Sequence, residues 1–439
     1  MVHSIFGGIH LEGRKEGSRR KALALPDVQP EQVTLPLRMH AGEECEPLVK
    51  VGDVVALGQP VAKSDDTVIH ASVSGKVLAL EERPHPWGGV CPAVVIENDG
   101  CDTPWSQGFS AEGWQERSET ELLERIAACG IVGMGGAAYP TADKLRAARG
   151  HVETVIVNAA ESEPYITADH RLLLERSEAV LTGLSILRKV SGAKHAVIAV
   201  EGNKLNAVEG LERTARRKGI ECRVCAVASR YPLGCEKQVV KAVTGREIPS
   251  EGVAIDVGCV VFNAATAYAV YQAVAEGRAL THRVVTAGGG GVVRPRNLWV
   301  PIGTAAEDLI RAAGGLRETA VKVLTGGPMT GTVQTDLSVP VLKSTNGILC
   351  LLDWEQGQRK PERDCIRCGR CVAVCPMHLM PILVAKELKL GGDPEELVRL
   401  HTEDCMACGC CSYICPAHIP LVERMAQARN IVQGEEREV

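Results

Sequence analysis

The chain has 439 residues, 45% of them hydrophobic and 23% charged, and a net charge of −5. Length implies roughly three domains, the balance is that of a globular protein, and the charge argues against a nucleic-acid partner, which needs a clustered basic surface. Two counts are abnormal: only three Phe, five Trp and six Tyr, but 18 Cys. A chain this long buries a core without disulfide staples. Its start has no apolar run suited to a secretory leader. No window reaches the ~18 uninterrupted apolar residues of a spanning helix; the longest candidate, Gly252 to Ala275, is broken by Asp256, Asn263 and Gln272. The expected setting is cytoplasmic and thiol-reducing, and the cysteines read as metal ligands rather than bridges.

In chain order, residues 1–110 read as a small β-sandwich. Leu48 to Val55, Gly58 to Val61 and Ile69 to Val77 alternate apolar and polar residues around glycine turns. The pattern resembles biotinyl and lipoyl carrier domains. The position of their modifiable lysine is Ser64 here, and the adjacent Lys63 is turned to the other face by its one-residue offset. The expectation is an unmodified structural domain. The basic run Arg14, Lys15, Arg19, Arg20 and Lys21 reads first as a solvated loop, with docking to a partner or to lipid as the alternative.

Residues 111–280 alternate helical and strand patterns, the sign of an α/β sheet. Ser118 to Glu121 is a capping box opening a helix that Gly130 closes. Strands are expected at Thr154 to Val157, His195 to Val200 and Cys222 to Val227, with a helix from Lys204 to Lys218. Residues 281–355 read as a compact β-grasp module and 356–425 as a cysteine-rich domain. The chain closes with a charged tail at 426–439, most simply solvated.

Cys365, Cys368, Cys371 and Cys375-Pro376 repeat the spacing of Cys405, Cys408, Cys411 and Cys415-Pro416. Both runs are C-x2-C-x2-C-x3-C-P, the bacterial ferredoxin pattern for two 4Fe–4S clusters. Three thiolates at three-residue spacing wrap three corners of a cubane, and the fourth, opening a helix, reaches the other cluster. Cys365, Cys368, Cys371 and Cys415 therefore form one set, and Cys405, Cys408, Cys411 and Cys375 the other. Zinc knuckles use cysteine pairs with histidine, not two matched triplets with proline. Cys410 is an extra thiol read as packing. Helices are expected at Met380 to Leu390 and Pro394 to His401, with Met377, Met380, His378 and His401 as core or surface residues.

Gly130 to Thr141 contains a G-x-G-x-x-A match, but a helix precedes it, so the ordinary dinucleotide fingerprint fails its context test. What remains is a glycine loop entering a helix at Pro140, suited to phosphate, with Lys144 one turn in. The strand at Thr154 ends in Asn158-Ala-Ala-Glu161-Ser-Glu163-Pro164, and strand carboxyl ends are where such sheets bind ligands.

GIVGMGGAAYPTADKL, VNAAESEPYITADHR, YPLGCEKQVVKAVTGREIPS, NLWVPIGT, GGPMTGTV and the two cysteine runs together resemble the C subunit of the Rnf (also called Rsx) electron-transport complex, over nearly the whole chain. The central part is similar to the flavin- and NADH-binding subunit of respiratory complex I. The resemblance implies FMN in the α/β domain, NADH stacked on it, and two 4Fe–4S clusters. It assigns Gly133, Gly135, Gly136 and Lys144 to the FMN phosphate and the nicotinamide nucleotide, and Asn158 to the flavin. Glu161 and Glu163 would orient the flavin ring and NADH as the catalytic pair. Tyr231, Gly234 and Glu236 would line the same pocket, and Asn263 would be a later flavin contact.

Departures are also legible. The complex I subunit has Asp at the position of Ala160, and the Rnf family often has Cys where Ser162 stands and a small residue where Cys235 stands. Cys235 reads as space-filling in preference to a redox thiol, and Cys222, Cys225, Cys129 and Cys259 as non-ligands. The expected function is NADH oxidation at FMN, with electrons passed through two clusters to partner subunits of a membrane complex met from the cytoplasmic face. The alternatives are a soluble electron-transfer protein feeding a reductase, of the proline-reductase-associated type, or a flavin-free ferredoxin-like carrier.

Overall fold

The computed structural model describes residues 4–23, 28–107, 113–357 and 360–434; of the tail expected at 426–439, residues 426–433 instead continue the helix Leu421–Gln433 and 435–439 lie outside the described residues. Near the N-terminus, a four-stranded sheet runs in the order Gln32–Pro36, Val90–Asn98, Gly75–Pro84, Val54–Val55, facing a three-stranded sheet of Glu46–Pro47, Pro60–Lys63 and Val68–His70. The strand expected from Leu48 to Val55 is reduced to Val54–Val55, because the Gly52 N–H turns to donate to the Val77 carbonyl (2.8 Å). Ser64 sits on the hairpin tip, its N–H bonded to the Thr67 carbonyl, and Lys63 is exposed.

The central domain is a parallel sheet in the order Arg223–Val227, His195–Glu201, Thr154–Ala159, Cys259–Asn263. Such strands are buried on both faces, and the alternation is visible residue by residue. Val155 and Val157 enter one apolar core, Ile156 the other. Cys225 enters that second core while Cys222 packs on the first, as three-residue spacing requires. The Ser118 capping box forms and opens the helix Glu119–Ala128. The helix Leu205–Lys218 ends on left-handed Gly219. Cys129 and Cys259 are fully buried.

A five-stranded sheet follows, ordered Arg296–Pro301, His282–Gly288, Gly347–Leu352, Ala320–Thr325, Thr332–Gln334, with its central pair parallel. The helix Ala306–Ala312 packs on it, giving a β-grasp arrangement. In the cysteine-rich region the helices Pro381–Leu390 and Leu421–Gln433 pack together. One expectation is corrected. Cys375 and Cys415 do not open helices; each follows a short one (Arg370–Ala373, Cys410–Tyr413) that holds the third cysteine of its run. The turn after Cys375 is what redirects its thiol.

The first residues depart most from expectation. Residues 5–19 lie across the α/β sheet and the cysteine-rich region as a strap. The Gly8 N–H donates to the Val374 carbonyl (2.7 Å), and Ile9 pairs antiparallel with Tyr231. Lys15, expected as part of a solvated run, is buried, whereas Arg20 and Lys21 are exposed. Its amino group has found better acceptors than water.

Burial drives the His70 imidazole down to about 3 from the usual 6.5. The folded chain therefore keeps His70 neutral, and the unfolded chain binds a proton that the folded one refuses. Stability is full above pH 6.5 and lost as pH falls towards 3. The thermal midpoint should be lower at pH 5 than at pH 7.5, and His70→Gln should shrink that difference. An unchanged difference would contradict the assignment.

Candidate functional site

A cavity of about 580 Å³ opens at the carboxyl ends of the central strands, within the usual range for a cofactor pocket. The glycine loop supplies Gly133 and Gly135, the following helix Thr141 and Lys144, and the strand ends Asn158 and Asn263. Those two asparagines are partners in the parallel register, which brings them side by side. Gly234 and Glu236 complete the wall opposite. Asn158 donates to the Gly234 carbonyl (2.7 Å), so the 231–236 segment is fastened to the strand end. A side chain at Gly234 would meet the Ala160 carbonyl at 2.5 Å, which is why that approach needs glycine.

Charge on the wall is mixed. Lys144 forms an ion pair with Glu236, and its ammonium lies 5.8 Å from the Phe262 ring centroid. Thr141 at the start of its helix is buried, and its hydroxyl has no hydrogen-bond partner among the described residues. An orphan hydroxyl beside a lysine at a helix start fits a phosphate group. Thr141 carries no ligand signal in the sequence beyond its place after Pro140.

Three expected site residues are not on this wall, and Gly136 lies in the loop without reaching it. Glu161 is buried. Its carboxylate stands 3.9 Å from the Lys15 ammonium and accepts from the Asp169 N–H (2.9 Å). Burial pushes the Glu161 carboxyl above the usual carboxylate range against the pull of Lys15 and Lys204, and burial likewise lowers the Lys15 ammonium. Glu163 accepts from the Met329 N–H (3.0 Å) and the Thr330 hydroxyl (2.7 Å), latching the GGPMTG turn of the β-grasp module. A side chain at Gly327 would meet the Glu163 carboxylate carbon at 2.4 Å. The Tyr231 hydroxyl donates to the Cys408 carbonyl (2.8 Å). Glu163 and Tyr231 are spent on the chain itself and hold the surroundings of the cavity, whereas Glu161 keeps one buried carboxylate oxygen without a hydrogen-bond partner among the described residues.

Lys15 is the centre of that arrangement. Its ammonium donates to the carbonyls of Glu161 (2.7 Å), Glu163 (2.9 Å) and Ile166 (2.7 Å). Nearby Lys204 pairs with Glu201 (2.5 Å), also buried. Nothing in the basic run distinguishes Lys15 from its exposed neighbours.

The eight cysteines gather as the crossed pattern requires. Cys365, Cys368, Cys371 and Cys415 line one cavity, and Cys375, Cys405, Cys408 and Cys411 a second, tighter one. Among the described residues no three His, Cys, Asp or Glu converge on a point that would hold a single ion. Thiols standing back around a space suit a cubane rather than one ion with ~2.3 Å bonds. Cys410 is buried beside the second set, facing the Tyr231 carbonyl at 3.9 Å. Cys405 and Met406 line both this second cavity and the larger pocket of the glycine loop. Cys235 lies on that pocket's wall, and burial pushes its thiol up to about 12, the protonated form. A space-filling thiol fits better than a nucleophile.

Residues 126–272 match the family described as the Nuo51 FMN-binding domain, 3–101 the RnfC barrel sandwich hybrid domain, 284–333 the SLBB domain and 364–419 a 4Fe-4S dicluster domain. The chain thus combines an FMN-binding domain with a two-cluster 4Fe–4S domain. It is 41% identical to the C subunit of the proton-translocating ferredoxin:NAD(+) oxidoreductase complex of Clostridium ljungdahlii, over 88% of this chain and 84% of the relative. Identity to the C subunit of the Na(+)-translocating counterpart in Acetobacterium woodii is 40%, over 88% and 87%. Identity to the C subunit of the ion-translocating oxidoreductase complex of Rhodobacter capsulatus is 41%, over 88% and 75%. In fold it is similar to an NAD+-reducing [NiFe]-hydrogenase chain, with a TM-score of 0.51 at 19% identity, over 75% of this chain and 64% of that one.

Removing Lys15 while leaving Glu161 buried should be costly, since half of a broken buried pair costs about 3–5 kcal/mol. Lys15→Met should lower the free energy of unfolding, read from denaturant titration, by that order. Arg14→Gln, one residue away and partly exposed, should change stability by no more than about 0.5 kcal/mol. Equal effects of the two would show that burial of Lys15 carries no weight.

Proposed function

The chain belongs to the C-subunit family of Rnf-type ion-translocating oxidoreductase complexes, and we propose that it exchanges electrons between NADH, FMN and two 4Fe–4S clusters on behalf of that complex. The observation that carries this reading is the shared wall. Cys405 belongs both to the pocket of the glycine loop and to the second set of cluster thiols. A group bound in that pocket lies against a cluster ligand, so electrons need no mobile carrier between them.

When bound, FMN takes two electrons with a hydride from NADH and releases them singly, which is what a cluster requires. The protein's part is placement. Thr141, Lys144 and the backbone of Gly133 and Gly135 hold the phosphate end. Asn158 and Asn263 set the width of the pocket at the ends of adjacent strands. Glu161 and Glu163 act as positioning residues: the first lies buried 3.9 Å from the Lys15 ammonium, the second keeps the GGPMTG turn closed over the 158–166 loop. No general base is needed for hydride transfer.

Cys375, Cys405, Cys408 and Cys411 would hold the cluster nearest the flavin, and Cys365, Cys368, Cys371 and Cys415 the distal one. Among the described residues no helix is long and apolar enough to cross a membrane, so attachment to the complex would be peripheral, through other subunits. The relatives' names place NAD(+) opposite ferredoxin, so the same site would serve electron flow in either direction.

The anaerobically prepared holoprotein should release FMN on acid extraction, and NADH should bleach its iron–sulfur absorbance. Clusters reduced by dithionite but never by NADH would refute the donor assignment. Lys144→Ala removes one charge-assisted contact, worth ~1.5–3 kcal/mol, and leaves Glu236 facing the phosphate. It should weaken FMN retention about 10- to 100-fold with iron content unchanged.

A further inference from the structure

The two sets of cluster thiols differ in their surroundings. The set holding Cys405 is enclosed by the central pocket, the strap and the β-grasp turn: Ile9, Tyr231 and Met329 pack with Cys408 and Cys410. The other set opens outward, and Cys365 and Cys368 are exposed. If electrons enter at the flavin, this second face is where they leave, so a docking role for it rests on the proposed function.

The opening has a distinct chemistry. Arg367, Arg370 and Lys386 stand on its rim without an ion pair among the described residues. Lys389 and Arg424 share a single carboxylate, Glu362, at 3.8 and 3.6 Å, and Asp364 is the second acid lining the opening. A net excess of cations on one face of a chain with net charge −5 makes a local field opposite in sign to the whole molecule. Among the residues lining the same opening, Ile366 is 67% exposed and Leu383 41%. Exposed apolar side chains among charged ones are the anatomy of a protein interface, and here they lie beside the thiols through which an electron would leave.

We propose that this face docks an acidic, electron-carrying subunit of the same complex, with Ile366 and Leu383 seated in an apolar socket and the cations facing carboxylates. Each transfer moves one electron from this chain to a redox centre of the partner, and no bond or proton changes hands. Fixed docking within an assembly is favoured over a passing soluble carrier because the exposed apolar side chains add contact that a purely electrostatic encounter does without.

The test adds the holoprotein, reduced with dithionite, to membranes that hold the rest of the complex but lack this chain. Binding and membrane-carrier reduction are followed at 50 and 300 mM salt. Two variants are compared: Lys386→Glu with Lys389→Glu on the helix Pro381–Leu390, and Arg367→Gln with Arg370→Gln in the cysteine loop. Wild-type binding should weaken at least 10-fold across that salt range. Both variants should bind at least 10-fold more weakly at 50 mM, with the clusters' spectra and midpoint potentials unchanged. Should the loop variant lose its clusters, the helix variant carries the comparison. Binding that ignores both salt and substitution overturns the proposal. So do variants that shift the cluster potentials while binding normally, because the cations would then serve the cluster alone. A soluble acidic ferredoxin that shows the salt dependence while membranes do not would overturn it too, by making the partner a diffusing carrier. Because dithionite supplies the electrons, failure of the NADH assignment would leave this result readable.

Discussion

One buried ammonium organises the centre of the molecule. The loop from Asn158 to Ile166 leaves a central strand and must turn several carbonyls inward, where water cannot serve them. Lys15 satisfies three of them at once and stands 3.9 Å from the Glu161 carboxylate beneath the same loop. The strap that delivers Lys15 also pairs with Tyr231 and bonds to the backbone just before Cys375. The end of the sheet, the enclosed cysteine set and the N-terminal segment are therefore held by one set of contacts. A shift in any of them would displace groups that have no alternative partner.

That coupling explains how a pocket with few aromatic side chains can be well shaped. Its walls come mostly from glycine backbone, small polar side chains and strand ends, with Phe262 and Tyr139 as the aromatic exceptions. Such a wall has little packing stiffness of its own. Rigidity is supplied from outside the pocket: by the Asn158 bond to Gly234, by Glu163 on the β-grasp turn, and by Tyr231 on the Cys408 carbonyl. Of the carboxylates that resemblance assigns to a ligand, Glu163 is occupied in this way.

Local signals are readable in the sequence because their physics is local. The Ser118 capping box, the Gly219 helix end and the alternation of Val155, Ile156 and Val157 each depend on residues within a turn or two. The crossed cysteine sets are equally legible, since spacing alone decides which thiols can share a cubane. Lys15 is not, because its role depends on carbonyls at Glu161, Glu163 and Ile166, far along the chain, and a lysine within a basic run looks solvated. Glu161 and Glu163 stand out as an acidic pair at a strand end, but their partners lie on the strap and on the turn at Met329 and Thr330. Cys375 shows a smaller failure: proline after cysteine reads as a helix start, and here the helix comes first.

The two cysteine sets, nearly identical in spacing, end in opposite environments, and the cause lies outside the repeats. Cys408 is covered because Ile9, Tyr231 and Met329 come from three different segments to close over it. No comparable segments among the described residues reach Cys365 and Cys368, whose loop stays exposed from Pro361 to Arg370. Solvent exposure and nearby charge are among the factors that set the potential of such clusters, so duplicated ligand motifs need not give equivalent centres. The asymmetry has a direction: one set is closed by the domain that carries the glycine loop, and the other faces outward with an excess of cations. A chain built to pass electrons along a line needs that difference between its inner and outer ends, and the strap creates it by closing only one of them.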